Sequence, residues 1–390
     1  MKIALVAQDA TLEKQDRTNE DTQLTELSRS LAALGHKVTI YTRKRDAGQP
    51  AQLAAGGVRV IPLGPAIAGD DPLDGMSAFT GSLRASWTKN RPDVVHAVRW
   101  DSGLAALAAA RGLGIPLVQA FNSLGVAEQR HKLALGAAGT ARIRLEPAIG
   151  RSATAVLAAS SGEAADLAQL GVRRSAIRVV PCGIDTDEFA PEGPAAERNG
   201  RPRLLTVTDF TDRSGLDTLL RALSRVPDAE LIVAGGPPSA MLSGLKEFQA
   251  LAGLAGSLDV ADRVVFAGQV SREQLPALLR SADLFVHTSS YEPTGIAPLE
   301  AMACGTPVLA QASPSAAADA VVDGATGILV QPGHPAVLAQ RIRQLLARPM
   351  LLEAYGAAAA DRARSRYSWD RITSETLAVY ERALALTEAA

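Results

Sequence analysis

Ser290-Tyr291-Glu292-Pro293-Thr294-Gly295-Ile296-Ala297-Pro298-Leu299-Glu300-Ala301-Met302-Ala303-Cys304-Gly305-Thr306-Pro307-Val308-Leu309-Ala310 is the segment from which the rest of the chain is read. The apolar run Leu284-Phe285-Val286 just before it reads as a buried strand, and a polar loop then carries Glu292. Pro298 suits the first turn of a helix, where its missing N–H would have had no partner. Gly305 and Pro307 stop that helix early, and Val308-Leu309-Ala310 begins the next strand. Such a strand–loop–helix–strand unit presents the backbone N–H groups of Gly295, Ile296 and Ala297 at a helix N-terminus, which attracts phosphate. Gly295 lets a ligand approach the backbone closely. Glu300, in the first helical turn, can accept hydrogen bonds from ribose hydroxyls, as acidic residues do in other nucleotide sites. Glu292, on the loop, is free to face a second hydroxylated group. The plainer account is an acid that only complements the helix dipole.

Outward from this unit, short apolar runs alternate with helical periodicity. Strands are expected at residues 3–7, 38–42, 58–62, 93–96, 115–121, 154–159 and 177–180. The helices between them include Leu24, Leu27, Leu31 and Leu34 at helical spacing before Gly35, the alanine-rich 101–111, a mostly helical 128–152 and 162–170. Pro191, Gly193, Pro194, Gly200 and Pro202 punctuate a polar segment, read as an interdomain linker over 191–202. The alternation restarts with strands at 204–207, 230–234, 264–266, 284–286 and 308–310. Helices are expected at 216–223, 245–253, 272–280, 335–347 and 351–367, and a last one at 369–386 behind the N-cap candidate Ser368. The pattern specifies an α/β chain of two doubly wound, Rossmann-like domains, 1–190 and 203–368, facing across a cleft.

Composition narrows the function. In 390 residues with 47% hydrophobic side chains, two sizeable cores can form. The net charge of −1 gives no general attraction to nucleic acid, and 4% aromatic content offers no stacking platform. Cys182 and Cys304 stand alone in different halves, which fits a reducing compartment, and no Cys/His spacing suggests a metal site. The apolar run 3–7 is too short for a signal sequence and no run reaches the length of a membrane span, so a cytoplasmic protein is expected. Arg43-Lys44-Arg45 reads as a solvated loop rather than a peripheral membrane anchor. Arg142, Arg144 and Arg151 read as a solvated helix face rather than a dock for a phosphorylated or lipid acceptor. His36 and His96 read as structural, and His287 as a pocket candidate.

Two glutamates eight residues apart around Pro-x-Gly, followed by Glu-Ala-Met-Ala-Cys-Gly-Thr-Pro-Val, resemble the signature of the retaining glycosyltransferases of family four, which have the GT-B fold. The resemblance extends over nearly the whole chain. It includes Ala33 through Val38, Val94-Val95-His96-Ala97, Trp100 through Gly103, Pro181 through Pro191, Asp228 through Pro237, and Gly324 through Val330. It implies that Glu300 binds the ribose of a sugar nucleotide, that Glu292 contacts the sugar, and that the amides after Gly295 hold the diphosphate. It also implies a UDP- or GDP-linked donor, a hydroxyl-bearing acceptor, no metal or other cofactor, and a closing helix that crosses back to the first domain at Tyr367-Ser368-Trp369-Asp370. The reaction it implies is hexosyl or pentosyl transfer through an oxocarbenium-like state, with growing charge on the leaving diphosphate met by prearranged donors and cations.

The sequence departs from the family at the donor site. Thr294 replaces the usual Phe. In Val207-Thr208-Asp209-Phe210-Thr211-Asp212-Arg213-Ser214-Gly215, Asp209 stands where an Arg is expected and Ser214 where a Lys is expected. An Asp209 carboxylate beside a diphosphate would cost roughly 4 kcal/mol at about 4 Å and an effective dielectric of about 20. Arg213, one residue away from the lysine position, is a candidate substitute, with a solvated loop arginine as the plainer account. The family's Gly-Gly loop aligns near Thr18-Asn19, its His after the 115–121 strand is Asn122, a candidate catalytic residue, and its later glycine-bearing stretch is Ser313-Pro314-Ser315-Ala316. Three expectations follow: a working transferase, a catalytically weakened binding or partner subunit of the same fold, or a transferase with an atypical, less anionic leaving group.

Overall fold

The computed structural model describes residues 1–8, 19–44, 52–55, 57–66, 71–133, 135–136 and 138–389. It divides into two compact units, one formed by Met1–Gly183 with the segment from Trp369 onward, the other by Ile184–Ser368. Thr18, Arg45 and Ala137, which belong to the aligned glycine-loop position, the basic cluster and the start of the arginine-bearing helix, lie outside the described residues.

The first unit is built on β1 (Lys2–Val6), β2 (Lys37–Arg43), β3 (Leu53–Ala55), β4 (Val58–Leu63), β5 (Val94–Val98), β6 (Leu117–Ala120), β7 (Ala155–Ala158) and β8 (Ile177–Val179). Their order across the sheet is β3-β4-β2-β1-β5-β6-β7-β8, and every pairing is parallel except β3 with β4. Ile3 and Leu5 on β1 pack with Val38, Ile40, Val60, Val94 and Val118 in one apolar core. The closing helix Trp369–Glu388 adds Val379, Tyr380 and Ala383 to that core. Gly183, where the chain leaves this unit, is bonded on both its N–H and its C=O by the Gln23 side chain, at 2.9 and 2.7 Å. A Cβ there would come within 2.6 Å of the Trp369 ring, so the exit and the return of the chain meet at a residue without a side chain.

The second unit has β9 (Arg203–Val207), β10 (Glu230–Ala234), β11 (Val264–Gly268), β12 (Leu284–His287), β13 (Val308–Gln311) and β14 (Gly327–Val330), in the order β11-β10-β9-β12-β13-β14 and all parallel. Side chains alternate between two faces. Leu204, Leu284 and Val286 enter the core under one layer of helices, and Leu205 and Phe285 enter the core under the other. The strand order reverses between β9 and β12. That is the topological switch point, the place where open sheets of this kind leave a crevice at the carboxyl ends of the strands.

Several expectations are corrected. Residues 191–202 belong to the second unit instead of forming a free linker. Arg280 bonds the carbonyls of Ala190 and Pro194 at 3.0 and 2.8 Å, and the Ala196 N–H donates to the Ala277 carbonyl. The 128–152 stretch splits into helices Gly125–Arg130 and Gly139–Ser152. The helix expected from Arg272 begins at Leu275, which leaves Arg272 in a loop. Strand β14, the edge strand β3 and helix Met76–Lys89 were not anticipated.

Candidate functional site

The switch point of the second unit is framed by two loops, residues 208–215 after β9 and residues 288–295 after β12. They are tied to each other by backbone. The Thr288 hydroxyl donates to the Ser214 carbonyl at 2.8 Å, and the Ser290 N–H donates to the Arg213 carbonyl at 2.8 Å. Gly215, at φ +68°, permits this approach, because a Cβ there would lie 2.3 Å from the Thr288 carbonyl oxygen. The segment read as a loop before a short helix is therefore fixed from two sides.

Helix Ile296–Ala303 starts immediately after Gly295, which sits in the left-handed region at φ +64° and leaves the helix without a side-chain cap. A Cβ at Gly295 would come within 2.8 Å of Ala316 Cβ, so the loop at 313–316 packs directly on the turn. The N–H groups of Ile296 and Ala297 occupy the first turn, where no intrahelical acceptor exists. Glu292 lies on the loop with Oε1 accepting from the Thr294 hydroxyl at 2.6 Å and from the Thr294 N–H at 3.2 Å. The Thr294 departure thus has a local role: it restrains the carboxylate two residues before it. His287, at the end of β12, is buried, and burial lowers its pKa while the Glu292 charge works in the opposite direction. Its Nε2 meets no hydrogen-bond partner among the described residues.

Glu300 is 3% exposed. Burial pushes its carboxyl up to about 7, against the pull of the Arg272 guanidinium, whose Nη1 lies 2.5 Å from Glu300 Oε1. Arg272 also meets Glu188 and stacks over Phe189. The sequence reading missed Arg272 by placing it inside a helix; the signal available was Ser271-Arg272 ahead of Leu275-Pro276, since proline favours a helix start there.

On the β9 side, Arg213 Nη2 lies 2.7 Å from Asp209 Oδ2, and its Nε donates to the Thr211 hydroxyl at 3.2 Å. Burial works to raise the Asp209 pKa, but the hydrogen bonds from Thr211 and Arg213 and the Arg213 charge outweigh it and hold the group below its ordinary value. Asp209 is therefore a neutralised carboxylate, and the repulsion expected of a bare one is cut by its own neighbour. Ser214 is 3% exposed, and its hydroxyl accepts from the Leu216 N–H at 3.3 Å at the start of helix Leu216–Leu223. It serves that helix start.

Asn122 lies in the first unit, just beyond β6, at φ +62°, a conformation Asn tolerates better than most residues. Arg142 is not on a solvated face. It donates to Glu146 at 2.7 Å, to Glu128 at 2.8 Å and to the carbonyl and hydroxyl of Ser123, both at 2.9 Å, and Glu146 in turn accepts from the Gly125 N–H. Among the described residues, no cluster of three or more His, Cys, Asp or Glu is arranged to hold a metal, and no helix is long and apolar enough to cross a membrane.

Comparison with known proteins places these features in a family. Residues 21–183 match the description "Glycosyl transferase 4-like domain", and residues 192–362 match "Glycosyl transferases group 1". A D-inositol 3-phosphate glycosyltransferase of Streptomyces avermitilis is 35% identical over 93% of this chain and 82% of its own. The structure of a sucrose-phosphate synthase from Thermosynechococcus elongatus superposes with a TM-score of 0.83 at 27% identity, covering 99% of both chains. The Anabaena protein Alr3699/HepE, solved in complex with UDP and glucose, shares the fold at a TM-score of 0.74 and 18% identity, over 98% of this chain and 100% of that one. Two Rossmann-like units, a glutamate pair on the β12 turn and relatives of this likeness along nearly the full length lead to one conclusion: the chain belongs to the glycosyl transferases group 1, the family-four glycosyltransferases of GT-B fold.

Proposed function

We propose that this glycosyltransferase takes its sugar from a nucleoside diphosphate, UDP or GDP, and transfers it to a hydroxyl-bearing acceptor with retention of anomeric configuration. The observation that carries the reading is the β12 turn. An uncapped helix start at Gly295 is flanked by a restrained carboxylate, Glu292, on the loop before it and a buried one, Glu300, in the second turn of the helix and not in the first as the sequence suggested, at the switch point of the sheet. In this reading the Ile296 and Ala297 amides face the diphosphate, Glu300 accepts from the ribose hydroxyls, and Glu292 contacts the sugar. Asn122 is assigned to the transferred sugar or the acceptor, to which it can both donate and accept. Growing charge on the leaving diphosphate is stabilised by fixed dipoles, and by Arg213 once its bond to Asp209 is exchanged for phosphate. The names of the relatives suggest polyol or sugar acceptors, phosphorylated ones included.

The Asp209–Arg213 pair favours a second reading, in which the donor site binds nucleotide but turns over slowly, because the loop's arginine already has an anionic partner. One pair of measurements separates the two. UDP or GDP is expected to raise the melting temperature of the full chain, since selective binding to the folded state stabilises it. Product formed from the sugar nucleotide that binds is expected to keep the donor's anomeric configuration by NMR. Absence of any shift with either nucleotide overturns both readings; a shift without product selects the second.

A further inference from the structure

Arg272 has no role in the site as assigned so far, yet it is held from three directions. It sits in the loop between β11 and helix Leu275–Arg280. Its Nη1 lies 2.5 Å from Glu300 Oε1, its Nε lies 3.2 Å from Glu188 Oε2, and its Cζ lies 4.5 Å from the centroid of the Phe189 ring. Phe189 is 1% exposed, so the aromatic face beneath the guanidinium is fixed. A planar guanidinium that bonds at two edges and stacks on a ring has little freedom left. We propose that Arg272 is a positioning residue for donor binding: it anchors one oxygen of Glu300 and supplies the charge that keeps the other oxygen an acceptor for ribose hydroxyls.

This rests on the assignment of Glu300 to the ribose, and it adds a requirement that assignment lacked. A carboxylate can receive two ribose hydroxyls only while ionised; protonated, one of its oxygens becomes a donor. A carboxyl as deeply buried as Glu300 resists ionisation unless a cation accompanies it. The groups that act on it are Arg272, which favours the charged form, and Glu188, from the segment before β9, which opposes it. Cys304, just past the end of the same helix, feels the charges of Arg280, Glu300 and Glu188, but burial pushes its thiol up to about 12, so it stays neutral. Arg272 is thus the cation on which the ionised form of Glu300 depends. Among the described residues Glu300 Oε2 accepts no bond, while Oε1 is occupied by Arg272. That division of labour leaves one oxygen anchored and one for the ligand.

The test is calorimetric titration of the full chain with UDP and with GDP at about pH 6, about pH 7.5 and about pH 9. The proteins are the wild type, Arg272→Gln, Arg272→Lys, Glu300→Gln and the double variant Glu300→Gln/Arg272→Gln, each with its melting temperature measured alongside. Arg272→Gln should weaken binding about tenfold or more near neutral pH, the size of one pKa unit, and recover much of the loss at the highest pH, where the carboxyl ionises without help. Arg272→Lys should restore most of the affinity through its charge. The double variant should bind no more weakly than Glu300→Gln alone. A loss equal at every pH, a loss that adds to that of Glu300→Gln, or tighter binding by Arg272→Gln would overturn the proposal; so would a lysine variant that folds but binds like the glutamine one. Wild-type affinity in Glu300→Gln is a different failure, because it removes the ribose assignment itself and the proposal with it.

Discussion

At the scale of the residue, the places of the two glutamates, one on a loop and one in the short helix behind Gly295, were legible because the glycine and prolines that shape this turn are visible in the sequence. Their partners were not legible. Nothing in the spacing of Asp209 and Arg213 says that they bond to each other, because a loop has no period from which contacts can be read. The structure brings them to 2.7 Å, and both side chains keep about a third of their surface in solvent. A half-exposed pair of this kind is weak, typically about 1 kcal/mol or less, so a diphosphate can compete for the arginine. Asp209→Asn removes the competitor and leaves Arg213 in place. It is expected to tighten UDP or GDP binding severalfold, read by calorimetry, and unchanged affinity would mean that Arg213 does not reach the phosphates. Replacing Ser214 by Lys is a different matter. Ser214 is buried against the start of helix Leu216–Leu223, so a lysine there would have to find a new path to solvent and would cost stability before it could bind anything.

At the scale of the element, helices with strong apolar spacing or visible caps were readable, and those defined by tertiary contact were not. Helix Met76–Lys89 buries Phe79, Leu83 and Trp87 on one face, a four-residue spacing present in the sequence but diluted by Gly81 and polar neighbours. Helix Ser161–Gln169 shows the opposite case. Ser160 Oγ accepts from the Glu163 N–H at 3.1 Å, while Glu163 Oε2 reaches back to the Ala159 N–H at 2.7 Å, a reciprocal cap visible as Ser-x-x-Glu. The other oxygen, Oε1, is enclosed without a partner. Burial pushes the Glu163 carboxyl up from 4.5 to about 7, against the bond from Ala159 and with a further push from Glu146 and Asp166. The sign follows from linkage: the folded chain holds this proton more tightly than the unfolded one. Its contribution to stability is fully present below about pH 4.5 and is lost as pH rises through about 7. Glu163→Gln cannot ionise. Whatever constant cost its amide adds, the variant should gain on the wild type by on the order of 2 kcal/mol between about pH 5 and about pH 8. Denaturant titrations at the two pH values measure this, and parallel losses in both proteins would refute it.

At the scale of the whole molecule, the alternation of strand and helix was enough to give two doubly wound sheets, because parallel strands need crossover connections and the crossovers are written as periodic helices. The boundary was misread for a physical reason. Proline and glycine in 191–202 signal irregular backbone, but irregular backbone can be docked, and Arg280 docks it by bonding two of its carbonyls. Strand order was not directly legible either, and it is strand order that fixes where a ligand binds. In the second sheet β9 lies between β10 and β12, and the helices that follow these two strands, Leu216–Leu223 and Ile296–Ala303, pack on opposite faces, the arrangement that marks a ligand crevice at the carboxyl ends of the strands. The amino ends of the same strands are closed by ion pairs instead: Arg203 with Glu230 at 2.6 Å and Arg198 with Asp283 at 2.5 Å. This asymmetry makes a prediction for the full chain. Hydrogen exchange followed by mass spectrometry, with and without a saturating nucleoside diphosphate, should show new protection in 208–216, 288–303 and the Arg272 loop. The amino ends of β9, β10 and β12 should be unchanged. The reason is local: the Ile296 and Ala297 amides lie in the first turn of a helix, where no intrahelical acceptor exists and a ligand can supply one, whereas the amides at the other edge already have protein partners. Protection confined to the amino-terminal edge, or to the first unit alone, would place the nucleotide elsewhere and remove the switch point of the second sheet as the donor site.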